Sequence, residues 1–145
     1  MDEVLVFLRA RLDEEAAVAT DATPGPWWHH PGKQWLGPEA FEKYDLRHGE
    51  EFVGYGGPHP FTGAVCSTGP ASNMQGMKDA SHIARHDPAR VLREVEAKRR
   101  TLVRCEEAML SANPMLVHFA KQTAWEMAQP FRDHPGFKPG WAPIA

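Results

Sequence analysis

Two Asx-Pro pairs constrain this chain more than any other feature: Asp87-Pro88 and Asn113-Pro114. In each, a side-chain oxygen that can accept from the free N–H groups of a first helical turn stands directly before a proline. Proline at the first helical position gives up an N–H that would be unpaired there anyway. The pairs therefore mark two helix starts. The first helix should run from Pro88 to about Leu110, with Val91, Leu92, Val95, Leu102, Val103, Met109 and Leu110 on its apolar arc. "SANP", residues 111 to 114, ends it. The second should run to about Gln129, with Leu116, Phe119, Thr123 and Met127 on one face.

The rest of the chain arranges itself around these helices. Residues 2 to 20 read as an amphipathic helix. Val4, Leu5, Leu8, Leu12, Ala16 and Ala19 share one arc, and Asp2 and Glu3 stand at the positive end of its dipole. "ATPGPWW" stops it, with Pro24-Gly25 suited to the centre of a type II turn. Residues 27 to 76 show no helical period. Short apolar or aromatic runs ("PWWHH", "KQWLG", "EFVGYGG", "GAVCST") alternate with Gly and Pro, as in a small irregular antiparallel sheet with long loops. A short helix over Lys78 to Arg85 precedes Asp87. The tail "PFRDHPGFKPGWAPIA" reads as extended, with Phe131, Phe137 and Trp141 placed to pin it down.

The expected fold is α+β in one domain, 1–145. An N-terminal helix (1–20) and two longer C-terminal helices (within 77–129) pack on a loop-rich antiparallel sheet (21–76), followed by an extended tail (130–145). The chain is long enough to bury a core. Its two cysteines, Cys66 and Cys105, are isolated, so no disulfide framework is expected. The first residues are acidic and lack the basic region of a signal peptide, and no apolar run reaches the length of a membrane span. A cytoplasmic, soluble protein with no membrane partner is the expectation. The sequence does not fix the oligomeric state.

Candidate chemistry falls in three places. The first is the aromatic middle, where Trp27, Trp28, Trp35, Tyr44, Tyr55 and His59 crowd a glycine-rich region. They could line a pocket that stacks a planar, nucleotide-like or phosphorylated ligand, or simply fill a small core. The second is a stripe of Arg90, Arg93, Arg100 and Arg104 on the long helix. It has the geometry to track phosphates or to meet an acidic partner. Residues 88 to 110 hold six basic and four acidic side chains, however, and the net charge of −3 weighs against nucleic acid. The acids Asp13, Glu14 and Glu15 of the first helix can lie against this stripe. The third is His82 and His86, spaced i, i+4, with His134 as a third metal ligand if the tail folds back. The Asp87-Pro88 boundary sets the two on opposite sides of a helix end, which weakens that geometry. No HExxH, GxSxG, phosphate loop or GxGxxG occurs. Cys66 with His59 is the remaining nucleophile pair to consider. No cofactor is implied.

Three blocks carry a resemblance: "FLRARLDEE...ATPGPW", "DASHIARHDPARVLREVEAKRR" and "QPFRDHPGFKPGWAP". In this order they resemble a domain-of-unknown-function family of actinobacteria and their phages, and more faintly the Ead-like phage proteins. Ser81, Phe131 and Gly136-Phe137 depart from that pattern, and residues 28 to 76 match none of it. The resemblance brings no catalytic residue. It implies a phage or prophage accessory protein. With no catalytic motif in sight, the expected function is non-enzymatic binding of a host protein or a small ligand. The alternatives are a small metal-dependent hydrolase using His82 and His86, and a nucleic-acid binder using the arginine stripe.

Overall fold

The computed structural model describes residues 2–29, 50–58, 61–70 and 74–142. Their elements are helix α1 (Glu3–Asp21), strands β1 (Trp27–Trp28), β2 (Glu50–Pro58) and β3 (Phe61–Pro70), and helices α2 (Met74–Arg85), α3 (Pro88–Met109) and α4 (Pro114–Ala128). Four helices and a three-stranded antiparallel sheet make an α+β fold. Both Asx-Pro starts are in place. The Asp87 carboxylate accepts the Arg90 N–H at 2.8 Å, and Asn113 Oδ1 accepts the Met115 N–H at 3.0 Å. The described chain divides into two compact units. One takes the chain up to Ala17 and again from Arg93 onward; the other is Val18–Leu92. Helices α1 and α3 each run from one unit into the other.

In the Val18–Leu92 unit the sheet order is β1-β2-β3. Trp27 pairs with Tyr55 and Trp28 with Gly54. The β2–β3 register advances by one extra β3 residue at Thr68 and again at Val65. These bulges twist β3 and leave β2 unbroken from Glu50 to Tyr55. Alternation along β2 thus sets Glu51 and Val53 on one face, Phe52 and Gly54 on the other. Val53 packs with Ala80 and Ala84 of α2, and Trp27, Val65, Cys66 and Ile83 close around them. The bulge residue Thr68 donates its hydroxyl to the Gly76 carbonyl in the first turn of α2, at 2.7 Å. On the opposite face the Trp28 indole lies where a Cβ on Gly54 would stand, 2.5 Å away, so only glycine fits there. Trp28 also meets Phe52 edge to face, with centroids 5.8 Å apart. Helix α2 starts at Met74, four residues before the sequence suggested.

In the other unit Val4, Leu5, Leu8 and Leu12 of α1 are buried, as are Val95, Leu102 and Cys105 of α3, Ala120, Ala124 and Ala128 of α4, and Trp141. Of Asp13, Glu14 and Glu15, only Asp13 meets α3 among the described residues, at a residue outside the expected arginine stripe, while Glu14 pairs with Arg11 of its own helix. Arg99 binds Asp13 at 2.7 Å, and Arg9 binds Glu106. The tail is not extended. It folds as two 3-10 turns, Gln129–Phe131 and Pro139–Trp141, with tight turns between them. Its rings converge on Phe7: Phe131 at 6.3 Å, His134 at 5.5 Å, Phe137 at 6.3 Å and Trp141 at 5.1 Å between centroids. Arg11 covers the same Phe7 ring at 5.3 Å. Lys138 pairs with Glu3 at the start of α1. The turns form because rings spaced along the tail share one target, which an extended chain could not reach with all of them.

Candidate functional site

The aromatic candidates that can be placed are committed to packing. The Trp27 indole N–H donates to the Thr23 carbonyl at 2.8 Å, and that of Trp28 to the Gly56 carbonyl at 3.0 Å. The Tyr55 ring lies over Gly63, its cross-strand partner. Trp35, Tyr44 and His59 fall outside the described residues, and so does the Cys66–His59 pair. Cys66 itself packs against the Val53–Ala80–Ala84 core.

Beside these rings lies a joint that sequence reasoning missed. Asp87 is buried. One carboxylate oxygen caps α3, and the other accepts the Trp27 backbone N–H at 3.0 Å. A Cβ on Gly25 would stand 2.6 Å from that second oxygen. Gly25 is therefore required by the close approach of Asp87. The expected type II turn is not formed: Gly25 has no positive φ, and the Gly25-Pro26 peptide is cis. "ATPGPW" and "HDPARV" are thus the two halves of one clasp. Nothing in either stretch names the other as its partner, so the sequence alone could not pair them.

A second arrangement missed from sequence is a buried pair. His29 Nε2 and Glu51 Oε2 are 2.6 Å apart, and both side chains are fully buried. The second Glu51 oxygen has no hydrogen-bond partner among the described residues. Buried carboxylates are retained where something holds them, and here the imidazole ties the end of β1 to β2. Its only sequence signal is the placing of His29 and Glu51 on faces that antiparallel pairing brings together.

The arginine stripe is uneven. Arg90 turns back to donate to the Arg85 carbonyl at 3.0 Å. Arg100 pairs with Glu96 at 3.3 Å, an exposed i, i+4 contact worth only a few tenths of a kcal/mol. Arg93 and Arg104 are exposed on α3.

Helix α4 holds the larger surprise. Its buried face is alanine, at Ala120, Ala124 and Ala128. Of the face expected from the sequence, Phe119 is 61% and Leu116 47% exposed, beside Met115 at 59% and Leu110 at 84%, while Thr123 and Met127 are half-buried. Trp125 of the same helix is half-buried. Between the start of α1, the end of α3 and α4 runs a groove of about 570 Å³, lined by Asp2, Leu5, Glu106, Met109, Leu110, Val117 and Lys121.

The histidines also differ from expectation. The helix boundary does fall between His82 and His86, since α2 ends at Arg85. It does not separate them: the His86 N–H continues the last turn to the Ile83 carbonyl, and the two rings lie 4.4 Å apart. His134 belongs to the other unit, where its Nδ1 accepts the Gly136 N–H at 2.9 Å and its ring meets Phe7. Among the described residues no three His, Cys, Asp or Glu side chains stand close enough to hold a metal ion. Cys105 is buried, and that burial pushes its thiol above the ordinary value of 9.0.

The molecule is an α+β protein in which the candidate aromatic residues Trp27, Trp28 and Tyr55 are engaged in packing, while Leu110, Met115, Leu116 and Phe119 are exposed. The model of the Family of unknown function (DUF6221) matches residues 1–143, and the chain belongs to that family. No curated protein and no solved structure matches it. No helix of the described residues is long and apolar enough to cross a membrane.

Proposed function

We propose that this protein acts without catalysis, by binding another protein through the outer face of α4. The observation that carries this reading is the exposure of Leu110, Met115, Leu116 and Phe119. Helix α4 is apolar on more than one side and carries only Lys121 and Glu126 as charged residues besides His118. A helix of that kind is ordinarily buried. A cluster of large apolar side chains at the turn between α3 and α4 supports a contact surface. Aromatic and methionine side chains are the types enriched at the centres of interfaces. The exposed Arg93 and Arg104 on α3 suit a partner with an acidic rim, which would steer association without adding much affinity.

The resemblance of the three sequence blocks supports a phage or prophage accessory role and a host protein as the partner, and the two isolated cysteines suit a cytoplasmic setting. A small planar ligand in the aromatic region gains no support from Trp27, Trp28 or Tyr55, whose rings and N–H groups are already engaged.

The test compares the wild-type chain with the double variant Leu116→Glu, Phe119→Glu. Each is purified from a host lysate, the retained protein is identified by native mass spectrometry, and binding is repeated with that protein pure. The reading expects a defined stoichiometry and an affinity at least about tenfold weaker for the variant, the equivalent of losing one interface anchor. Equal affinity of both chains would refute it. So would a wild-type chain that self-associates through this face and retains nothing else.

A further inference from the structure

We propose that His82 and His86 form a solvent-open, two-imidazole site for a divalent late transition-metal ion. The inference rests on side chains of α2 and its last turn and does not depend on the protein-binding reading.

Four observations carry it. First, the rings are adjacent, 4.4 Å between centroids and tilted by 37°. Metal–nitrogen bonds are about 2.0–2.1 Å, so two neighbouring imidazoles can reach one ion with small side-chain rotations. Second, the tautomer of His86 follows from its partner. Its Nδ1 lies 2.7 Å from the His82 carbonyl oxygen. A carbonyl can only accept, so Nδ1 carries the proton, and the neutral ring presents a bare Nε2 lone pair. A second-shell hydrogen bond of this kind orients a metal-binding histidine and raises its basicity. Third, both residues are exposed, and the ring of His82 has no hydrogen bond among the described residues. Its lone pair is available to an ion arriving from solvent. Fourth, the pair stands at the C-terminal end of α2, the negative end of the helix dipole, which favours a cation. Asp79 stands on the same face one turn earlier and adds negative charge, its carboxylate held by the Gln75 amide at 2.9 Å.

The donor set selects the ion. Imidazole nitrogens favour Cu²⁺, Ni²⁺ and Zn²⁺ over Mg²⁺ and Ca²⁺, which prefer oxygen. Two protein ligands leave the other coordination positions to water or to a donor from another molecule.

The experiment is calorimetric titration of the full chain, free of any affinity tag, with Ni²⁺ alone and then with Cu²⁺, the latter followed by electron paramagnetic resonance. The expected result is one saturable ion per chain, with nitrogen hyperfine structure from two imidazoles and tighter binding of Cu²⁺ than of Ni²⁺. His82→Ala and His86→Ala should each weaken binding by at least about ten- to a hundredfold, the range seen when even an outer-shell partner is lost. His118→Ala, which removes another exposed histidine, should leave it unchanged. Circular dichroism keeps a loss of fold apart from a loss of ligand. The proposal is overturned if the double variant His82→Ala, His86→Ala binds as tightly as the wild type, or if no saturable binding occurs.

Discussion

Asp87 uses both carboxylate oxygens, one for the first turn of α3 and one for the Trp27 backbone N–H. Replacing it with alanine removes a helix cap, about 0.5–2 kcal/mol. It also leaves a half-buried N–H unpaired, about 1–3 kcal/mol more. Asp87→Ala should therefore lower stability by roughly 2–4 kcal/mol in urea denaturation, and a loss under about 0.5 kcal/mol would show that the clasp is not formed. Gly25→Ala pushes a methyl into the same carboxylate and should cost roughly 1–3 kcal/mol. The two losses should not add, because both break one contact. Cys105 makes a pH-dependent claim. Its thiol value is raised in the folded state, so the folded chain holds the proton more tightly than the unfolded one. Stability from this group is fully present below pH 9.0 and is lost as pH rises from there through the folded value. The cost of Cys105→Ala, roughly 1 kcal/mol at pH 8 from lost burial, should shrink by pH 10. A cost that grew with pH would contradict the direction of the shift.

Elements show where a periodic pattern suffices and where it does not. The pattern of α1 places Val4, Leu5, Leu8 and Leu12 correctly in the core, because they repeat at helical spacing on one arc, while Val6 and Val18 lie off that arc and are exposed. Helix α4 offers two competing faces, one of alanines and one of large side chains. Size alone favoured the large one. Close packing favoured the small one, since Ala120, Ala124 and Ala128 let a helix backbone approach its neighbours. Stability should follow the observed choice. Leu116→Glu and Phe119→Glu should change it by no more than about 0.5 kcal/mol, as for surface positions. Ala124→Leu, which overfills a fully buried site, should cost roughly 1–3 kcal/mol. Thermal melts with the opposite ranking would mean that α4 is turned the other way. The same reasoning covers the exposed Val103 of α3 and Leu110 just beyond its end: a wide apolar arc identifies a helix without saying how much of the arc its neighbours cover.

At the scale of the whole molecule, each unit is closed by a contact between distant stretches. In one, the tail rings meet Phe7; in the other, Gly25 and Trp27 meet Asp87. Phe7→Ala should cost about 3 kcal/mol, the lower end for a large aromatic because this ring is only half-buried. It should speed amide hydrogen exchange first in residues 129–142, and unchanged exchange there would show that Phe7 does not hold the tail. Such contacts give the three sequence blocks a structural part: Phe7 of the first meets rings of the third, and Trp27 at the end of the first meets Asp87 of the second. On the described residues they are joints, and a joint requires a residue type at a position as strictly as a reaction does. By itself the sequence determined the helix starts at Asp87-Pro88 and Asn113-Pro114, the buried side of α1, the antiparallel sheet and the α+β class. All of these follow from local hydrogen-bond chemistry and from periods of 3.6 and 2. Only the tertiary structure decided that Gly25 serves Asp87, that His29 meets Glu51, that α4 turns its large side chains outward, and that His82 and His86 stay together across a helix end. Apart from the two histidines, these depend on pairs or faces whose partners are remote in sequence. For the histidines the decisive quantity is the geometry of one turn, which depends on how the helix end is held and not on the order of its residues alone.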